Sequence, residues 1–134
     1  MSETLVFKLK ETEGYFDAAS LEDSDMPNVP SDVIFLNLEN AAITDTGISN
    51  LPFLNKVRCL DLDSTLITDK AMKIITLFST LEELWIEDVK VTDEGFKLLS
   101  QLPNLKYVSF LDTEISDEAY NYVKAKLPHL RAEG

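Results

Sequence analysis

Residues 81–95 read Leu81-Glu82-Glu83-Leu84-Trp85-Ile86-Glu87-Asp88-Val89-Lys90-Val91-Thr92-Asp93-Glu94-Gly95, and this stretch decides the fold because it recurs. Leu81, Leu84 and Ile86 have the spacing L-x-x-L-x-L, whose last two members, at period 2, mark a short strand with one buried face. The same places are held by Val33, Leu36 and Leu38, by Val57, Leu60 and Leu62, and by Leu105, Val108 and Phe110. Val91-Thr92-Asp93 returns as Ile43-Thr44-Asp45, Ile67-Thr68-Asp69 and Ile115-Ser116-Asp117, each copy 24 residues from the next. A constant period of this kind marks a stack of identical supersecondary units.

Each triplet reads as a helix start. Thr44, Thr68, Thr92 and Ser116 are suited to cap a helix N-terminus, and the Asp that follows places a carboxylate at the positive end of the helix dipole. Apolar pairs three apart then define one helical face: Ile48 and Leu51, Met72 and Ile75, Phe96 and Leu99, Tyr120 and Val123. Gly47, Ala71, Gly95 and Ala119, at matched positions, leave room for close approach between neighbouring helices. One strand-helix unit cannot bury its own apolar stripe, whereas stacked copies share a continuous core. The predicted fold is therefore an α/β solenoid of four strand-helix repeats, at 33–56, 57–80, 81–104 and 105–130, with a concave parallel sheet. A doubly wound α/β sheet also alternates strand and helix, but it does not require a fixed period or a repeated cap triplet.

Over residues 33–130 the pattern resembles the leucine-rich-repeat family, in the subclass that reads L-x-x-L-x-L-x-x-T-x-I-T-D-x-G, found in F-box-associated and many bacterial repeat proteins. The chain departs from it after the strand, where the family's Asn or Thr is Ala41, Thr65, Val89 and Thr113. The resemblance implies a protein-binding scaffold without catalytic activity or cofactor. An adaptor role through an F-box is not expected, since residues 1–32 hold no apolar multi-helix segment.

Outside the repeats, residues 1–32 read as an N-terminal cap and connector: Leu5-Val6-Phe7-Lys8-Leu9-Lys10 alternates like a strand, and Asp23–Pro30 reads as irregular. Leu127-Pro128-His129-Leu130 is expected to close the last helix, with residues 131–134 a polar tail. The net charge is -12, from 24 acids against 12 bases, which disfavours nucleic acid and anionic membranes and favours basic partners. Met1-Ser2-Glu3 lacks the opening of a secretory signal, no run is long enough to span a membrane, and Cys59 is the only cysteine, so a cytoplasmic home is expected.

Alternation along the strands assigns twelve side chains to the concave face: Phe35, Asn37, Glu39, Cys59, Asp61, Asp63, Glu83, Trp85, Glu87, Tyr107, Ser109 and Leu111. These are expected to be exposed. Three are aromatic and none is Lys or Arg. Trp and Tyr commonly dominate protein interfaces, and acids around them complement a basic partner. The candidate partner-binding residues are Phe35, Glu39, Asp61, Asp63, Glu83, Trp85, Glu87 and Tyr107.

The same residues argue against catalysis. Cys59 and the single histidine, His129, fall in the second repeat and at the end of the last, too far apart for a nucleophile and its base. Asp61, Asp63, Glu83 and Glu87 lack the sheltered pocket that acid-base chemistry needs, and no Gly-rich phosphate loop or metal site is expected. The function expected is non-catalytic: an inhibitor or immunity protein that masks the active site of a basic toxin or nuclease-like enzyme. The alternative is an adaptor or assembly factor joining larger protein components.

Overall fold

The protein is described here by a computed structural model covering residues 13–134; the alternating segment Leu5–Lys10 lies outside the described residues. Six strands of three residues each form one parallel sheet in chain order: β1 (Tyr15–Asp17), β2 (Phe35–Asn37), β3 (Cys59–Asp61), β4 (Glu83–Trp85), β5 (Tyr107–Ser109) and β6 (Arg131–Glu133). The register follows the period, with Phe35 beside Cys59, then Glu83, then Tyr107, and Asn37 beside Asp61, then Trp85, then Ser109. The fold is an α/β leucine-rich-repeat solenoid.

Helices α1 (Asp45–Ser49), α2 (Asp69–Ile75), α3 (Asp93–Lys97) and α4 (Asp117–Lys126) lie on the other side of the chain path, α3 running on into a 3-10 turn at Leu98–Gln101. The core fills the space between helices and sheet. Leu36, Leu60, Leu84 and Val108 meet Ile48, Met72, Phe96 and Val123 there, all of them inaccessible to solvent. Truncating one such side chain to Ala typically costs about 2–5 kcal/mol, because the hole left behind cannot close fully.

Two features at the sheet's C-terminal rim come with the same spacing. Asn40, Ser64, Asp88 and Asp112 all have positive φ, between 53° and 62°, where short polar side chains are tolerated better than branched ones. Their left-handed backbone turns each strand away from its neighbours. At Thr65 and Thr113 the hydroxyl donates to the carbonyls of Leu62 and Phe110; at the matched Ala41 and Val89 the place is simply filled by apolar bulk.

The helix starts differ from a simple cap. Thr44, Thr68 and Ser116 do accept a hydrogen bond from a first-turn N–H, but Thr92 does not. The Asp of each triplet reaches the next repeat instead. Asp45 accepts from the backbone N–H of Thr68 at 2.7 Å and from its hydroxyl, and also from the N–H of Ala71 at 3.2 Å. Asp69 holds Thr92 and Asp93 holds Ser116 in the same manner. The series begins one step earlier than the repeats do, with Asp23 on Thr44. The small residues serve this ladder: a Cβ on Gly47 or Gly95 would collide with the carboxylate of Asp23 or Asp69.

Both flanks are more regular than the sequence suggests. Residues 15–17 form β1, pairing in register with β2, and Asp23–Asn28 is a 3-10 helix that buries Met26 and takes a helix's place beside α1. At the other end Leu130 is buried, and the tail is strand β6, whose Ala132 sits beside Val108.

Candidate functional site

The concave sheet face brings the candidate residues together in the rows that the register predicts, but it does not expose them. Phe35, Cys59, Glu83 and Tyr107 are buried, as are Asp61 and Asp63 at 9% and 8% exposure; Trp85 and Glu87 are partly buried, and Glu39 and Leu111 are exposed. Alternation tells which side a residue faces, not how crowded that side is. Aromatic rings pack together on this face. Tyr15 meets Phe35 edge-on with ring centroids 4.8 Å apart, Trp85 tilts against Tyr107 at 5.4 Å, and Phe35 and Cys59 pack between Tyr15 and Trp85.

Polar atoms on this face are held by a second pattern. Asp17, Asn37 and Asp61 each use a side-chain oxygen to accept the N–H two residues on, at 3.0 Å in each case. Trp85 cannot do this. The N–H of Glu87 is taken instead by Asp63, from the preceding repeat, at 2.7 Å. The Trp85 indole N–H donates to Glu83 at 2.7 Å, Ser109 donates to Glu87, and Tyr107 donates to Glu133 at 2.5 Å. The indole plane is thus fixed by a hydrogen bond on its own strand.

Asn37 shows what the turn itself requires: a neutral amide oxygen suffices. The charge on Asp61 is therefore extra to its structural role. Burial pushes the Asp61 carboxyl up to about 6, with the Glu39 and Glu87 carboxylates adding to it and the N–H of Asp63 opposing it. Burial likewise lifts Asp63 to about 7, against the pull of the Glu87 N–H, with Asp61, Glu87 and Glu39 contributing. Burial, and then the nearby carboxylates of Glu83, Asp61 and Asp63, raises the Cys59 thiol far out of the range of a reactive thiolate. Tyr107 is raised too, by burial and by its bond to Glu133.

Two cations pair with an acid outside this face. Arg58 pairs with Glu82 at 2.9 Å, and Lys106 reaches the same carboxylate at 3.4 Å, on the row preceding the strands. Burial opposes its ionisation, but these cations still hold Glu82 below the usual carboxylate range. No described Lys or Arg forms an ion pair with Asp61 or Asp63. Among the described residues, no group of three or more His, Cys, Asp or Glu side chains is placed to hold a metal ion, and no helix is long and apolar enough to cross a membrane. His129 is exposed, far along the chain from Cys59.

The solenoid is also recognisable by comparison. A solved internalin from Listeria monocytogenes, a leucine-rich-repeat protein, matches with a TM-score of 0.51 and 14% identity, over 77% of this chain and 35% of its own. This chain thus spans about a third of that neighbour's length, and the likeness is one of fold. No protein-family model and no curated protein matches the sequence. Three features of the site escaped the sequence reading: the burial, the Asp63–Glu87 bond across repeats, and the Tyr15 contribution from β1. Only the last left a trace, as an aromatic at the head of Tyr15-Phe16-Asp17.

Proposed function

We propose that the protein is a non-catalytic binding scaffold whose concave face docks a basic protein, and that its role is to inhibit that partner, as an immunity protein masks a toxin or nuclease. The observation that carries this reading is the pair Asp61 and Asp63: buried carboxylates beside a fixed Trp85, more charged than their hydrogen bonds need to be. Holding a charge in a desolvated place costs stability unless a cation arrives to offset it. A partner's Lys or Arg does this, and the surrounding field speeds its arrival. A cytoplasmic setting suits a chain whose single thiol is buried.

The adaptor reading draws on a different observation, the Trp85–Tyr107 pair and the exposed Leu111, which favour an apolar and less salt-sensitive contact.

The test keeps the fold intact. Lysine at position 61 or 63 would disturb a buried site, so the informative variant is Asp61→Asn with Asp63→Asn, which preserves both accepted hydrogen bonds and removes the charge. In pull-downs from native lysate, a basic partner is expected to be retained by the wild type and lost by the double variant, with association slowing steeply as salt rises. Equal retention by both proteins would overturn docking on this face. Loss of binding with little dependence on salt, and with greater sensitivity to Trp85→Ala, would favour the adaptor.

A further inference from the structure

We propose that the C-terminal end of the solenoid, strand β6 with the outer face of α4, is an interface for a second copy of this chain, paired about a two-fold axis through Ala132. It uses a different surface from the docking reading above and stands independently of it.

This end is unfinished in the terms of the repeat itself. Ile43, Ile67 and Val91 are buried, as are Ile48, Met72 and Phe96, each with a following repeat beside it; at the matched places Ile115 and Tyr120 are partly exposed. Asp23, Asp45, Asp69 and Asp93 each hold a threonine or serine of the next unit, while Asp117 has no donor among the described residues. The outer edge of β6 is open as well, since no strand of the described residues follows it in the sheet. Arg131 donates its N–H to Lys106 and Glu133 accepts the N–H of Phe110, so both turn backbone groups toward β5. By alternation Ala132, between them, points its N–H and C=O outward.

The order of charges at this end says what covers it. Laid antiparallel to itself about Ala132, the strand Arg131-Ala132-Glu133 sets each arginine opposite the other copy's glutamate on the concave side. The two Ala132 residues then exchange both N–H and C=O. The helix repeats the pattern. Asp69 and Lys73 of α2 line the groove toward α3, so Asp117 and Asn121 hold those places on α4, and Lys124 lies one turn further along the same face. Turned about an axis near Asn121, Asp117 of one copy meets Lys124 of the other. Strand and helix require the same two-fold operation, which closes at two copies. The net charge of -12 opposes self-association in general, but here Asp117 and Glu133 are balanced by Lys124 and Arg131. The N-terminal end of a second copy fits less well: at the place Asp117 would bond there stands Glu22, an acid whose N–H already donates to Asp25. With the axis normal to the sheet, both concave faces open on the same side.

The test is the mass of the full chain by sedimentation equilibrium, with Arg131→Glu and Glu133→Arg made separately. The wild type is expected to form a reversible dimer at about 100 μM, as suits a small interface. Each variant alone sets like charges opposite each other, and its dissociation constant should rise by about tenfold or more. Mixed in equal amounts, the two variants restore opposite pairs and should dimerise with each other. Glu133 also accepts from Tyr107, so if Glu133→Arg impairs folding, Asp117→Lys and Lys124→Asp carry the same exchange on the helix. A wild type that stays monomeric at that concentration would overturn the proposal. So would a dimer that neither exchange weakens, or a mixture that does not recover. Mass growing beyond two copies would replace two-fold pairing by end-to-end stacking and overturn it equally.

Discussion

Aspartates on opposite sides of the solenoid behave in opposite ways. On the helix side, Asp93 accepts the N–H and the hydroxyl of Ser116, and these bonds hold its carboxyl below the usual range. On the sheet side, Asp63 also accepts a backbone N–H, yet burial and neighbouring acids lift it to about 7. One set of carboxylates is ionised to the benefit of the fold and the other at its expense. The difference separates carboxylates whose charge supports the solenoid from carboxylates whose charge its hydrogen bonds do not need.

The largest effect should come from cutting the ladder. Asp45→Ala leaves the Thr68 and Ala71 N–H groups and the Thr68 hydroxyl without their acceptor, and hydrogen bonds to a charged group are worth about 1.5–3 kcal/mol. A loss of about 2 kcal/mol is expected in urea unfolding, and a neutral result would break the comparison on the helix side. Gly95→Ala comes next, because the added Cβ strikes the Asp69 carboxylate; a cost of about 1–3 kcal/mol follows from overpacking. Ala71 tolerates its methyl at the matched position, so Ala71→Gly should lose only about 1 kcal/mol of helix propensity.

On the sheet side the sign reverses. Asp63→Asn should raise Tm by a few degrees at pH 8, where the native carboxylate is charged, and by little at pH 5. A lower Tm for this variant at pH 8 would show that the charge supports the fold after all. The wild type should report the same effect. Asp61 and Asp63 have folded pKa values above the unfolded value, so the native state binds more protons and stability rises as pH falls from about 8 to about 5. Glu82 and Asp93, held low, have the opposite linkage, and their contribution is lost below about pH 4. A maximum in Tm near pH 5 is expected, and a flat profile from 8 to 5 would remove the cost assigned to Asp61 and Asp63. The smallest effect concerns Cys59, whose buried thiol should stay unlabelled by a thiol reagent in the native wild type on the timescale of minutes.

Much of this was legible in the sequence because the period supplied it four times. Leu36, Leu60, Leu84 and Val108 fixed the register, and the rows through Trp85 followed. Strand β6 lay within reach of the same rule, as Ala132 stands 24 residues after Val108, but an alanine hides the apolar signal. β1 was hidden by a shorter step, 20 residues from Phe16 to Leu36. Leu5–Lys10, read as a strand, lies outside the described residues. The site's burial was not legible, since alternation carries no measure of how far Tyr15, Phe35 and Trp85 lean across the face. The ladder was visible only in hindsight: capping rules look one turn ahead, and Asp45 acts 23 residues away.

That ladder makes the 24-residue unit a closed transaction. Each copy arrives with a threonine or serine for the aspartate before it and an aspartate for the hydroxyl after it. Duplicating a whole unit between two existing ones would therefore leave no hydrogen-bonding group without a mate, whereas an insertion of any other length would strand one. The molecule is built to be lengthened in fixed steps, and each step would add one more strand to the parallel sheet.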